Sequence, residues 1–331
     1  MKKLLDFTIK VVCPFLLAGI ILWWMYRKFQ WAEIVEASRQ MSWTWMLLSM
    51  PFGILAQVFR ALRWRQVLAP MGEKPRLSTC VNAVFASYAS SLVVPRIGEV
   101  LRCSILTRYE GTDFSRGIGT VVSERVVDML LVLVLSFFTI LVQIPVFLRF
   151  FQRTGVSFES FLKGFTPAGY LVTVLCLLVL LAGAWMLAYR LNLLSRTRAI
   201  MSRLTEGLLS VTRVRNVPLF IFYSLGIWAS YILHFYLTFF CFPYTSCLGI
   251  WSALVAFVVG SFAVLVPTPN GAGPWHFAVK TVLVLYGVNQ VSATLFVFLV
   301  HTLQTLLVAL LGVYAVAALS LTSRRQQSAK G

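Results

Sequence analysis

Most of the charge that could do chemistry in this chain lies in three short stretches. In VVPRIGEVLR, Arg96, Glu99 and Arg102 recur every three residues. On one helix such a row stacks on one side, so that Glu99 would hold both arginines in place while they present guanidinium groups. In VVSERVVDMLLVLVL, Glu124, Arg125 and Asp128 stand just inside an otherwise uncharged apolar run. The two acids are four apart and share a face, while Arg125, offset by about 100°, can reach a neighbouring helix. These acids are either helix-terminal charges in an interhelical salt bridge or clamps that hold the basic residues of VVPRIGEVLR around an anionic headgroup. In RALRWRQVL, Arg60 and Arg63 also share a face. They read as anchors at the cytoplasmic surface or as a phosphate-binding pair.

A fourth stretch, VPTPNGAGPWHF, is charge-free and holds Pro267, Pro269, Asn270, Gly271, Gly273, Pro274 and His276. Three prolines and two glycines cannot continue a helix, so backbone amides and carbonyls are freed there. A helix beginning after the break could aim its positive end at an anion. If these four stretches lie at membrane depth, their charges and free backbone must line protein or a wet cavity.

The elements that position them are membrane helices. Hydrophobic residues make up 59% of the 331, charged residues 12%, against roughly 45–50% and about 25% in soluble domains. Apolar runs at 8–26, 43–62, 118–142, 168–189, 218–241, 246–266 and 290–318 approach the roughly 20 residues that a crossing needs. Shorter runs at 79–94 and 275–288 abut the Pro/Gly motifs and fit re-entrant or broken helices. The expected fold is an all-α polytopic bundle of about eight crossings, a single domain over residues 1–331, interrupted near 79–94 and 267–288. In this count 275–288 completes a crossing and 79–94 turns back; the competing topology swaps them. Residues 90–98 (SSLVVPRIG) and 261–271 (SFAVLVPTPNG) echo each other, as paired interrupted segments do in transporters built from repeats. Two unrelated helix terminators would look the same.

The formal charge of +18 comes from Lys and Arg clustered at the start, in 190–215 and in the tail. That pattern places both termini and the 190–215 connection in the cytoplasm of a cell inner membrane, and it is not a nucleic-acid footprint. The first apolar run ends in aromatic residues without a small-residue cleavage site, so it reads as a retained helix. The six cysteines show no metal spacing and read as packing residues; a Cys241–Cys247 bridge is the alternative. His234 and His301 lie inside predicted spans and read as interhelical hydrogen-bonding partners. Zinc-protease, Walker, nucleophile-elbow and dinucleotide fingerprints are missing from the sequence, so no metal or cofactor is expected.

RALRWRQVL, VVPRIGEVLR, SERVVD and VPTPNGAGPWHF, in this order, resemble the lysylphosphatidylglycerol synthase transmembrane family, also described as flippase-like integral membrane proteins. The family's glycine-rich motif resembles PxPGGxGxxE and maps onto Pro267, Pro269, Asn270, Gly271, Gly273 and His276. Asn270 stands where glycine is usual, and His276 where an acid is usual. The resemblance implies the flippase-like membrane portion without the synthase, and hence no enzyme activity of that kind. Its implied partners are membrane lipids, anionic or polyprenyl-linked. The expected function is movement of an anionic phospholipid or lipid-linked glycan between leaflets. The alternatives are a non-transporting partner of a membrane glycosyltransferase or lipid synthase and, last, an enzyme built on Glu124 and Asp128.

Overall fold

The computed structural model describes residues 19–23, 31–154 and 202–328. The runs predicted at 168–189 and over most of 8–26 lie outside them. Among the described residues all regular structure is helical, as expected for a polytopic bundle. Four helices are long and apolar enough to cross a membrane, and they coincide with the runs at 43–62, 118–142, 218–241 and 290–318.

The element order is α1 (Trp31–Gln40), α2 (Trp43–Leu68), α3 (Leu77–Ser90), α4 (Gly98–Glu110), α5 (Phe114–Val142), α6 (Ile144–Thr154), α7 (Val217–Phe239), α8 (Ile250–Ala263), α9 (Pro274–Leu285) and α10 (Gln290–Ser328). The crossing expected at 246–266 is a helix of 14 residues, about 21 Å long and well short of the hydrocarbon thickness. α3 is also 14 residues and α9 is 12. The short helices fold back in pairs. α3 packs on α4 and α8 on α9, with Gly260 of α8 facing Trp275 and Val279 of α9. Both interrupted segments therefore turn back, and neither completes a crossing.

The order long, short, short, long thus occurs twice, as α2–α5 and as α7–α10. The halves are inverted with respect to each other. α2 and α7 pack antiparallel along their length: the Ser42 amide bonds the Cys241 carbonyl at 2.8 Å, His234 Nδ1 lies 2.8 Å from the Ser49 carbonyl oxygen, and Phe59 meets Phe222. Each half also lends its last helix to the other half's hairpin, α10 packing on α3 and α5 on α8. This is the architecture of inverted-topology repeats. The two echoing Val-Pro segments are the tips of the two hairpins.

Each half has its own apolar core. One gathers Trp64, Leu68, Cys80, Val84 and Leu106; the other gathers Phe239, Ala256, Val282, Leu283 and Phe296. At one end of the bundle Arg76–Glu110, Arg116–Glu206 and Arg203–Asp113 ion pairs tie 73–76, the α4–α5 turn and 203–206 together. This is the basic face. The other end carries 240–249 and the α9–α10 turn, where Tyr286 Oη donates to Gln143 Oε1 at the end of α5 (3.0 Å). Cys80, Cys103 and Cys241 are buried and Cys247 is exposed, all as free thiols; no Cys241–Cys247 bridge forms.

Candidate functional site

The two hairpin tips meet each other and α10. Asn270, in the second tip, donates its side-chain amide to Thr305 Oγ1 at 2.7 Å, and its carbonyl oxygen lies 3.1 Å from His301 Nε2. Those α10 residues lie roughly 20 Å along the helix from its start at Gln290. The first tip reaches the second from the opposite side: Arg96 Nη2 donates to the Leu265 carbonyl at 3.1 Å.

Local sequence explains both breaks. α3 ends before Pro95, and the chain reverses through Arg96, whose φ of 64° is left-handed. Gly98, the first residue of α4, serves a different purpose from a turn glycine: a Cβ there would overlap the Ser87 carbonyl, so its absence lets α4 lie directly on α3. In the second tip Asn270, Gly271 and Gly273 have φ of 50°, 71° and 90°. Asn270 occupies a glycine position of the resembled motif, and asparagine is among the few other residues that enter this region readily. His276 sits at the third position of α9, where its Nδ1 accepts the Gly273 amide at 3.2 Å. An acid at that position would accept the same bond. The α9 N-terminus is therefore capped by its own side chain.

The expected Arg96–Glu99–Arg102 stack does not form, because Arg96 precedes the helix and the three side chains take different partners. Arg102 Nη2 bonds Glu124 Oε2 at 2.8 Å, with its guanidinium 4.6 Å above the Trp64 ring. Glu99 Oε1 receives Arg125 Nε at 2.6 Å. Arg60 and Arg63 both reach Asp128, at 2.6 and 2.7 Å, and Arg63 also lies 3.4 Å from Glu124. The side chains of Arg60, Arg63, Arg102, Glu124 and Asp128 are at most 7% exposed. They form a closed ion-pair core joining α2, α4 and α5, and they are neither surface anchors nor a free phosphate cluster.

What faces a cavity is different. Arg96, Glu99 and Arg125 line a space of about 470 Å³ together with Tyr88, Ser91, Thr268, Asn270 and Gly271. Among the described residues, Arg96 is the arginine of this group without a carboxylate partner. The Thr268 hydroxyl is buried and unpartnered. Two arginines and one glutamate leave the cavity positive. Around its mouth the surface is apolar: Val122, Val126 and Met129 flank Arg125 on α5, and Val93, Ile97 and Val100 flank the first tip, all exposed.

A second cavity, about 580 Å³, lies beyond the second tip and is lined by Leu22, Ile34, Leu92, Phe298, His276, His301, Thr302 and Thr305. Asn270 lines both. Of the residues singled out in the sequence, Arg96, Glu99, Arg125, Asn270 and Gly271 line the first cavity and Asn270 and His276 the second. Gly273 shapes the tip, and Arg60, Arg63, Arg102, Glu124 and Asp128 support it from behind. Tyr88 and Thr268 carried no signal in the sequence. His301 did, as a polar residue within a span.

The family model described as the lysylphosphatidylglycerol synthase TM region matches residues 11–312. No curated protein matches the chain.

Proposed function

The chain belongs to the lysylphosphatidylglycerol synthase TM-region family, and from that premise we propose that it binds the anionic headgroup of a membrane lipid between its hairpin tips and moves it between leaflets. The observation that carries this reading is Arg96. An arginine within a membrane without a carboxylate is costly unless something anionic answers it, and Arg96 lines a cavity that also holds the unpartnered Thr268 hydroxyl. The exposed valines beside the cavity lining favour a lipid over a soluble anion, because in a bilayer its chains can stay in hydrocarbon beside them while the headgroup enters. An anionic phospholipid or a lipid-linked glycan phosphate supplies the required chemistry. The second cavity, sharing Asn270, continues the path beyond the tips. In this reading the protein sits in the cytoplasmic (inner) membrane with its basic face inward.

The test is reconstitution in liposomes with fluorescent phosphatidylglycerol, following the label's accessibility to an external reductant. A charge-assisted hydrogen bond contributes about 1.5–3 kcal/mol, so Arg96→Gln is expected to weaken headgroup binding about ten- to a hundredfold and to slow transfer while the protein stays folded. Arg96→Lys should retain part of it. Transfer by Arg96→Gln at the wild-type rate refutes the reading. Arg96-dependent lipid binding without transfer would instead favour a non-transporting lipid-binding partner.

A further inference from the structure

The second cavity holds two imidazoles, His276 and His301, with ring centroids 4.4 Å apart. Their bonds define where the protons are. An amide N–H can only donate, so His276 Nδ1, 3.2 Å from the Gly273 amide, carries no proton. A carbonyl can only accept, so His301 Nε2, 3.1 Å from the Asn270 oxygen, carries one. His301 Nδ1 is left as an acceptor facing the Thr305 hydroxyl at 3.4 Å, and that hydroxyl in turn receives the Asn270 side-chain amide at 2.7 Å. Asn270, Thr305 and His301 thus close a ring of bonds that pins the tip to α10, while His276 pins the start of α9 to Gly273.

The two rings respond to a proton in opposite ways. A proton on His301 Nδ1 leaves the Nε2 bond to Asn270 in place and requires only that the Thr305 hydroxyl turn. A proton on His276 Nδ1 sets a donor against the Gly273 donor and breaks the cap. Gly273, at φ 90°, then loses the bond that fixes its conformation, and as a glycine it is free to leave it. The surroundings bring further charged and titratable groups: Lys280 on α9, Tyr231 and His234 on α7, Glu33, Glu36 and Arg39 on α1, Arg96 on the first tip and Arg149 on α6, whereas α8 carries none.

We propose that the His276–His301 pair is a proton-binding site whose loading at His276 unlatches the second hairpin tip, so that passage of a headgroup past Asn270 is coupled to protons. The coupling rests on the transport reading above; the latch itself does not. The latch is measured by hydrogen exchange on the purified protein at pH 5.5 and 7.5, corrected for the intrinsic exchange rate. Each pH unit changes the protonated-to-neutral ratio tenfold, so the amides of 273–277 are expected to lose at least about tenfold protection at the lower pH. His276→Gln offers an amide oxygen to the Gly273 N–H but does not titrate, and its protection should be the same at both values. His301→Gln should retain the pH dependence. A flat wild-type profile, or an unchanged dependence in His276→Gln, overturns the proposal. If His276→Gln does not fold, the α2–α7 seam of the wild type serves as reference: loss confined to the tip supports the latch, and equal loss at both overturns it. Transfer of fluorescent phosphatidylglycerol is then followed with and without an imposed pH gradient. Transfer indifferent to the gradient overturns the coupling, whereas a working latch with no transfer at any pH leaves the proton site standing and refutes only the transport reading.

Discussion

Glu124 offers a direct way to separate the residues that build the site from those that face its ligand. Its side chain is 0% exposed and holds Arg102 at 2.8 Å and Arg63 at 3.4 Å. Glu124→Gln keeps the shape but leaves Arg102 as a buried cation over Trp64, whereas Arg63 keeps Asp128. Breaking a buried pair by removing one partner costs about 3–5 kcal/mol, so the folded-to-unfolded ratio should drop by a hundredfold or more on the order of that energy. Glu99→Gln removes the nearer partner of Arg125, which keeps Asp128 at 3.9 Å, and both side chains are well exposed, at 38% and 45%. A pair of that kind contributes at most about 1 kcal/mol. Unfolding in mixed micelles, titrated with dodecyl sulfate and followed by tryptophan emission, compares the two directly. The expected order is a large loss for Glu124→Gln and a small one for Glu99→Gln, with the effect on lipid binding concentrated in Glu99→Gln. Removing both charges in Arg102→Met with Glu124→Leu should recover most of the loss, since the penalty arises from the orphaned cation. Equal costs for the two single variants, or no recovery in the double variant, would refute the assignment of a closed core behind an open cavity.

Three further expectations follow from the geometry. Gly271→Val puts a β-branched residue at φ 71° with its Cβ 2.8 Å from Val264 Cγ2; the left-handed backbone alone costs about 1–2 kcal/mol, and lipid transfer should fall sharply, while Gly287→Ala, at φ 91° with open space around it, should lose stability but keep transfer. With the other cysteines replaced, exposed Cys247 should react with a membrane-impermeant maleimide added to intact cells, and a single cysteine at Glu206 on the basic face should react only after permeabilisation; the reverse pattern inverts the orientation. Asp113, at the α4–α5 turn, is raised by burial, but the Arg116 amide and Arg203 guanidinium outweigh this and hold its carboxyl below the usual range. Its stabilisation is therefore present above the ordinary aspartate pKa and lost as pH falls through the depressed folded value, and Asp113→Asn should remove that acid-limb dependence from micelle unfolding curves.

Composition and apolar periodicity alone determined that the chain is an all-α membrane bundle, where its four long described spans run, and that the Val-Pro segments interrupt it. These are properties of about 20-residue windows in a hydrocarbon solvent, where every backbone group must be satisfied locally. The sequence also marked the stretches that line the first cavity, because charges and free backbone within an apolar chain are rare enough to stand out. It did not say which charges remain open. The three-residue spacing of Arg96, Glu99 and Arg102 implied one stack only if one helix carried all three, and the left-handed turn at Arg96 ended that premise. Arg60 meets Asp128 across 68 positions and Arg63 meets Glu124 across 61, and such pairing depends on how α2, α4 and α5 dock, which no local spacing encodes. For the same reason 275–288 could be counted as a crossing from its apolar content, whereas its fold-back on α8 comes from a Gly260 surface that accepts Trp275 and Val279. Tertiary packing thus buried five of the charged candidates in an ion-paired core and left Arg96 facing the cavity without a carboxylate, and it brought two histidines of separate helices into contact behind it.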